Sequence, residues 1–189
     1  MCIRDRLTPE RIFLFDIQDK KILLFTRRGK FITDIRPHGR GPGEWLGITD
    51  FTVDETDREI IVTADRPYKF LYYDYNGNFL REKTSEAFYT EITRTTDNIL
   101  AINSKVLEPK HYLSLLNEED HRITVAKKIP LAFTYRGEFR CRGSYLLKSE
   151  HLYFTQNGDY TIYSWDNNRI KPVVTVDFGK YSYLSLIHI

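Results

Sequence analysis

Apolar residues in this chain come in short bursts. Ile12–Phe15, Ile22–Phe25, Ile60–Val62 and Phe70–Tyr73 are brief runs rich in β-branched and aromatic side chains. Between such runs stand Arg28-Gly29, Asn76-Gly77, Asn157-Gly158 and Asn167-Asn168, residue types that favour turns. Short apolar runs at regular spacing, punctuated in this way, predict β-strands. No window repeats apolar residues at i, i+3, i+4 and i+7, so helices are expected to be scarce. Asn76-Gly77 predicts a two-residue type I′ turn joining Lys69–Asp74 to Asn78–Lys83, because both central positions of that turn need φ > 0.

The pattern also recurs on a longer scale. Residues 11–35 align without a gap on residues 59–83. Ile12 falls on Ile60, Lys21 on Lys69, Leu23 on Leu71, Gly29 on Gly77 and Phe31 on Phe79. The offset, 77 minus 29, is 48 residues, at the long end of the roughly 40–50-residue period of propeller blades. One complete unit reads Ile48–Val53, Glu59–Ala64, Lys69–Asp74 and Asn78–Lys83. Antiparallel strands in this up-and-down order make one blade of a β-propeller. The preceding unit, 11–36, shows the second to fourth strands only. A third, 87–128, has strands expected near Tyr89–Arg94, Asn98–Asn103, Tyr112–Leu116 and Arg122–Ala126. A fourth, 144–178, has them near Ser144–Lys148, Leu152–Thr155, Thr161–Trp165 and Val173–Phe178. The expected fold class is all-β: a partial β-propeller of about four consecutive four-stranded antiparallel blades at 11–36, 48–83, 87–128 and 144–178. A blade is too thin to bury both faces alone and must lean on its neighbours.

The termini change what composition can say. Met1 to Arg6 is what ATG-TGT-ATA-AGA-GAC-AG encodes, the end sequence of a transposase used to fragment DNA for sequencing. The reverse complement of that DNA encodes Leu184–Ile189. Matching ends in opposite orientation mark 1–6 and 184–189 as expected adapter translation and 7–183 as the propeller fragment. Cys141 is then the only natural cysteine, so no disulfide framework can be read. Without Arg4, Asp5 and Arg6 the net charge is near +1, which offers no electrostatic footprint for nucleic acid or an anionic membrane. No apolar run approaches the ~20 residues of a membrane-spanning helix.

A family resemblance rests on three strings. They are Gly39-Arg40-Gly41-Pro42-Gly43-Glu44-Trp45, then Ile48-Thr49-Asp50-Phe51, and the Tyr73-Asp74-Tyr75-Asn76-Gly77-Asn78-Phe79-Leu80 turn. Together they resemble bacterial six-bladed β-propeller proteins of the NHL/TolB-like kind. Thr161-Ile162-Tyr163 with Val176-Asp177-Phe178-Gly179 is similar to the later blades of such proteins. The likeness covers nearly all of 7–183 and is weakest between Glu86 and Arg142. It implies a six-bladed ring and export to the periplasm, the outer membrane or the cell surface, often as a lipoprotein. It implies no particular chemistry.

In a blade, the loop from strand two to three and the connection from strand four to the next blade lie at the same ring end. A ligand pocket there would draw on His38, Arg40, Glu44 and Trp45 from the 36–47 connection, and on Asp65, Arg66, Tyr68, His111 and Tyr160 from the inner loops. Arg36, Lys110 and Asp159 border the same loops. Polar groups with aromatic walls suit a sugar, peptide or carboxylate. The stronger reading of Gly39–Glu44 is structural: glycines and Pro42 set the turn geometry, and Glu44 pairs with Arg40 or caps loop amides. No Gly-Lys-Ser/Thr follows, so this is not a phosphate loop.

His38, His111, His121 and His151 are scattered without a paired ligand spacing, so no metal site and no cofactor is expected. Cys141 has basic neighbours but no identifiable base, and Ser144 and Ser149 lack a nucleophile-elbow context. Trp45 follows the glycine loop and Trp165 closes a strand before Asp166-Asn167-Asn168, with core packing the stronger reading for both. The leading expectation is a non-catalytic propeller that binds a small molecule, glycan or protein, with no nucleic acid. The alternative is a propeller lyase or hydrolase, for which Asp50, Glu91 and Arg94 on the inner strands are the candidates. A third is an assembly component whose blade edges bind other chains.

Overall fold

The computed structural model describes residues 3–85, 87–95, 99–102, 113–116, 122–125, 146–148, 152–155, 160–166 and 169–179. They form four sheets, each of four antiparallel strands in chain order, with no α-helix among the described residues. Sheet one holds β1 (Ile3–Leu7), β2 (Arg11–Asp16), β3 (Lys21–Thr26) and β4 (Phe31–Ile35). Sheet two holds β5 (Ile48–Asp54), β6 (Glu59–Asp65), β7 (Tyr68–Asp74) and β8 (Phe79–Thr84). Sheet three holds β9 (Glu91–Arg94), β10 (Ile99–Ile102), β11 (Leu113–Leu116) and β12 (Arg122–Val125). Sheet four holds β13 (Leu146–Lys148), β14 (Leu152–Thr155), β15 (Thr161–Asp166) and β16 (Arg169–Thr175).

Three details differ from the sequence expectation. Sheet one has a first strand: Ile3 lies opposite Asp16 and Leu7 opposite Ile12. The edge of β2 offers unpaired amides and carbonyls, which any extended segment can satisfy whatever its side chains. In sheet four the last strand starts at Arg169, opposite Asp166, and ends at Thr175. The apolar string Val173–Phe178 biased the expected limits outward, beyond the ladder. The third difference is the turn at Asn76-Gly77. Only Gly77 has φ > 0, at 84°. Its amide donates to the Asp74 carbonyl at 3.0 Å, and the Asp74 amide donates to the Asn78 carbonyl at 2.9 Å. This is a three-residue loop, a type I turn closed by a left-handed glycine, and not type I′. Asp74 selects it by accepting the amides of Asn76 and Asn78 on its carboxylate. Gly29, at φ 81°, closes the equivalent turn in sheet one with the same pair of bonds between Thr26, Gly29 and Lys30. The repeat is thus conserved between sheets one and two down to the turn hydrogen bonds.

Sheet two shows why its strands read as continuous apolar runs: it is covered on both faces. Phe51, Val53, Ile60, Val62, Leu71 and Tyr73 pack with Phe13, Phe15, Ile22 and Leu24 of sheet one. From the other face Ile61, Phe70 and Tyr72 pack with Tyr89, Ile92, Ile99 and Leu116 at sheet three. Edge-to-face aromatic pairs tie the first seam, among them Phe15 with Phe51 at 6.3 Å and Phe13 with Tyr75 at 5.1 Å. Outermost strand β8 is largely exposed, with Phe79 at 42% and Leu80 at 46%. Face-to-face succession of four-stranded sheets, dry between and wet at the outer strands, is the blade arrangement of a propeller.

Candidate functional site

The 36–47 connection runs from β4 to β5 and is fastened along its length. Glu44 folds back so that its Oε2 accepts the Gly41 amide at 2.8 Å. A Cβ at Gly39 would lie 2.0 Å from that same oxygen, so only glycine leaves room for the carboxylate. Gly43, at φ 73°, donates its amide to Glu82 Oε2 at 2.9 Å and accepts the Tyr73 hydroxyl on its carbonyl at 2.8 Å. Lys69, buried on the face of sheet two that meets sheet one, donates to Glu82 at 2.7 Å and to the Gly41 carbonyl at 3.2 Å. Burial pushes the Glu82 carboxyl up. The Lys69 hydrogen bond, the Gly43 amide and the Lys69 charge outweigh this and hold it below the usual carboxylate range.

Trp45 is 2% exposed. Its ring sits 6.0 Å from that of Tyr73, and its Nε1 donates to the Lys20 carbonyl at 3.3 Å. Lys20 in turn donates its Nζ to the Leu46 carbonyl at 3.1 Å. Trp45 therefore closes the seam between sheets one and two. Asp65 donates its amide to the Gly47 carbonyl at 3.1 Å and pairs with Arg66 at 3.4 Å. Tyr68 places its ring 5.7 Å from Phe88. The connection and the Asp65 loop thus come together at one end of sheet two, where His38, Arg40 and Arg66 are exposed. Tyr160 belongs to sheet four, where its ring meets Phe178 at 5.0 Å. His111, with Lys110, Asp159 and Cys141, lies outside the described residues.

The inner-strand candidates are structural fasteners. Alternation along β5 turns Asp50, Thr52 and Asp54 toward sheet three while Phe51 and Val53 face sheet one. Asp50 Oδ2 accepts the Ile92 amide at 2.9 Å, and Thr52 Oγ1 accepts the Arg94 amide at 3.1 Å. Asp54 accepts the Arg94 guanidinium on Oδ2, and its Oδ1 caps the following turn through the amides of Thr56 and Asp57. Thr49 adds a hydroxyl bond to the Tyr89 carbonyl at 2.7 Å. Asp50 and Arg94 therefore bind sheet two to sheet three, and Glu91 is buried on β9. Among the described residues no group of His, Cys, Asp and Glu could hold a metal ion, and no helix is long and apolar enough to cross a membrane.

Sequence reasoning missed a cleft at the other end of these strands. It lies between sheets two and three, has a volume of about 310 Å³, and is lined by Asp54, Asp57, Glu59, Ile61, Tyr72, Arg81, Lys83, Arg94 and Ile99. Arg81 makes a two-point ion pair with Glu59 and lies 4.0 Å over the Tyr72 ring. Lys83 approaches the same ring at 5.9 Å. The pairing of Tyr72 with Arg81 across β7 and β8 was the one legible signal, since opposite residues share a face.

Solved structures place this architecture. A Bacteroides fragilis protein inferred to be exported superposes with a TM-score of 0.76 at 19% identity, over 90% of this chain and 49% of its own. A member of the DUF4221 family from Bacteroides vulgatus gives 0.61 at 11% identity, over 93% of this chain and 58% of its own. The β-propeller domain of Myceliophteria thermophila Cps50 (Swd1) gives 0.54 at 11% identity, over 92% and 55%. The chain thus spans about half the length of the structures it matches. At these identities the likeness concerns the fold, a β-propeller. No curated protein matches the chain. A family model described as a domain of unknown function, DUF4934, matches residues 4–185, and the chain belongs to that family.

Proposed function

We propose that this chain is part of a non-catalytic β-propeller that presents a loop-built surface to a ligand or protein partner outside the cytoplasm. The observation that carries the reading is the use made of its chemically capable groups. Asp50, Asp54 and Arg94 hold sheet to sheet, and Lys69 and Glu82 hold the glycine connection. His38, Arg40 and Arg66, by contrast, face solvent at one strand end. Loops on a rigid scaffold are where binding residues concentrate. The proposed surface is therefore His38, Arg40, Glu44, Asp65, Arg66 and Tyr68, with Trp45 as its buried support and His111 and Tyr160 completing it from later blades.

Export is supported by the similar Bacteroides fragilis protein. The half-length match to solved relatives supports a longer ring, which we take as six-bladed and NHL/TolB-like, with 7–183 as its natural portion and 1–6 and 184–189 as adapter translation. Lipid anchoring belongs to the same reading.

Recovery of the complete reading frame, followed by fractionation and protease accessibility in a Bacteroides host, tests the compartment. Retention in the cytoplasm overturns it. A biosensor screen against glycans, peptides and envelope proteins tests the surface, with the chain compared to its His38→Ala/Arg40→Ala/Arg66→Ala variant. At least one species whose binding is abolished in the variant, with no turnover, is expected. Turnover, or a screen in which the variant loses none of the binding seen with the parent chain, refutes the reading.

A further inference from the structure

We propose that the cleft between sheets two and three binds a neutral polyhydroxylated ligand, a saccharide of one or two rings. The inference is separate from the loop surface above, because the cleft lies at the opposite strand end, beside the β5–β6 turn. Its volume of about 310 Å³ stands at the low end of the ~300–1,000 Å³ of small-molecule pockets. The lining selects a chemical class by its charge pattern. Three carboxylates (Asp54, Asp57, Glu59) and three cations (Arg81, Lys83, Arg94) border one space. They are interleaved, since Arg81 is bound to Glu59 and Arg94 to Asp54.

A phosphate or other anion entering here meets three carboxylates, and a cation meets three positive groups. A zwitterion needs segregated poles, which the interleaved pairs do not offer. A hydroxyl both donates and accepts, whereas a carboxylate only accepts and a guanidinium or ammonium only donates. Vicinal hydroxyls can therefore use both halves of this lining at once. The ion pairs also hold the long side chains in place, and Arg81 is further fixed over Tyr72, so less rotamer freedom is lost when a ligand binds. Ile61 and Ile99 supply an apolar wall for the C–H face of a sugar ring.

The test is calorimetric titration and a neutral-saccharide array with the 189-residue chain, using inorganic phosphate and glycine as charged and zwitterionic probes. Lys83→Met removes a donor from the cleft lining, and Ile99→Trp fills the cleft. Far-ultraviolet circular dichroism and a cooperative thermal melt confirm that each variant is folded. Saturable binding of at least one saccharide is expected. It should weaken about tenfold or more in Lys83→Met, as for loss of one charged hydrogen bond, and vanish in Ile99→Trp. It should also be insensitive to added salt, as screening does not act on a neutral ligand. No saccharide binding across the array, saccharide binding that survives both variants, or binding of phosphate or glycine in place of saccharides overturns the proposal. The His38→Ala/Arg40→Ala/Arg66→Ala variant should leave saccharide affinity unchanged, which separates failure of this site from failure of the loop surface.

Discussion

Removing the Glu82 carboxylate tests the fastening of the glycine connection. Glu82→Ala leaves the Lys69 ammonium, only 5% exposed, with the Gly41 carbonyl as its remaining partner from this network. It also strips the Gly43 amide of its acceptor. Orphaning one member of a fully buried ion pair costs about 3–5 kcal/mol. The Glu82 side chain is 33% exposed, so solvent screening brings the expectation down to about 2–3 kcal/mol. At this chain length that corresponds to a melting temperature lower by about 4–12 °C. Urea unfolding followed by tryptophan emission in a Trp165→Phe background is the assay, since the remaining Trp45 is buried against Tyr73, whose hydroxyl bonds the same Gly43.

Replacing both partners, Lys69→Met with Glu82→Leu, should recover most of the loss, because no charge is left buried. The pH dependence follows from the sign of the shift. The folded carboxyl titrates below its ordinary 4.5, so its contribution is complete above the unfolded value and drains as pH falls through the folded one. Glu82→Gln should flatten that acid limb. A loss under about 0.5 kcal/mol, within the range of an ordinary surface substitution, would refute the reasoning, as would a double variant as unstable as Glu82→Ala.

Other consequences are equally direct. Thr52→Val leaves the Arg94 amide without its acceptor; about 1–3 kcal/mol of stability should be lost, and hydrogen exchange should quicken at Arg94 while Ile92, bonded to Asp50, keeps its protection. Gly29→Ala and Gly77→Ala each force a side chain into a left-handed turn, at about 1–2 kcal/mol. The new methyl meets open space at residue 29 and Thr33 Cγ2 at 3.0 Å at residue 77, so thermal melts should rank the second variant lower, and equal melts would deny the close packing. Burial, followed by the Glu55 charge, raises the Tyr75 hydroxyl to about 12, and burial raises Tyr73 further. Both groups hold their protons longer in the fold, so stability should decline as pH climbs from the unfolded value near 10 toward 12. A spectrophotometric titration in which these two tyrosines ionise before unfolding would contradict this.

The blade repeat was legible because strand alternation and turn residues are local signals. Ile60–Val62 and Phe70–Tyr73 announce a sheet buried on both faces, and Gly29 and Gly77 mark equivalent turns. The turn type was misread because the Asn-Gly dipeptide was weighed without Asp74. Asp at the first position and Gly at the fourth are the signature of the type I form. The roles of Asp50 and Arg94 could not be read at all. Their partners lie some forty residues away in another repeat, at |i−j| of 42 and 40, and no periodicity encodes such a bond. The cleft was hidden for the same reason. Its walls come from residues spread between Asp54 and Ile99, none unusual in its own strand.

The bonds from Asp50, Thr52 and Asp54 to Ile92 and Arg94 have a direction: acceptors on the earlier inner strand, donors on the later one. Sheet two therefore offers sheet three a row of acceptors, with Thr49 alone donating in the other sense, to the Tyr89 carbonyl. Growth from the amino end, as on a ribosome, would present that row to sheet three as it forms. Growth in reverse would instead leave the Ile92 and Arg94 amides and the Arg94 guanidinium waiting for acceptors on a strand not yet made.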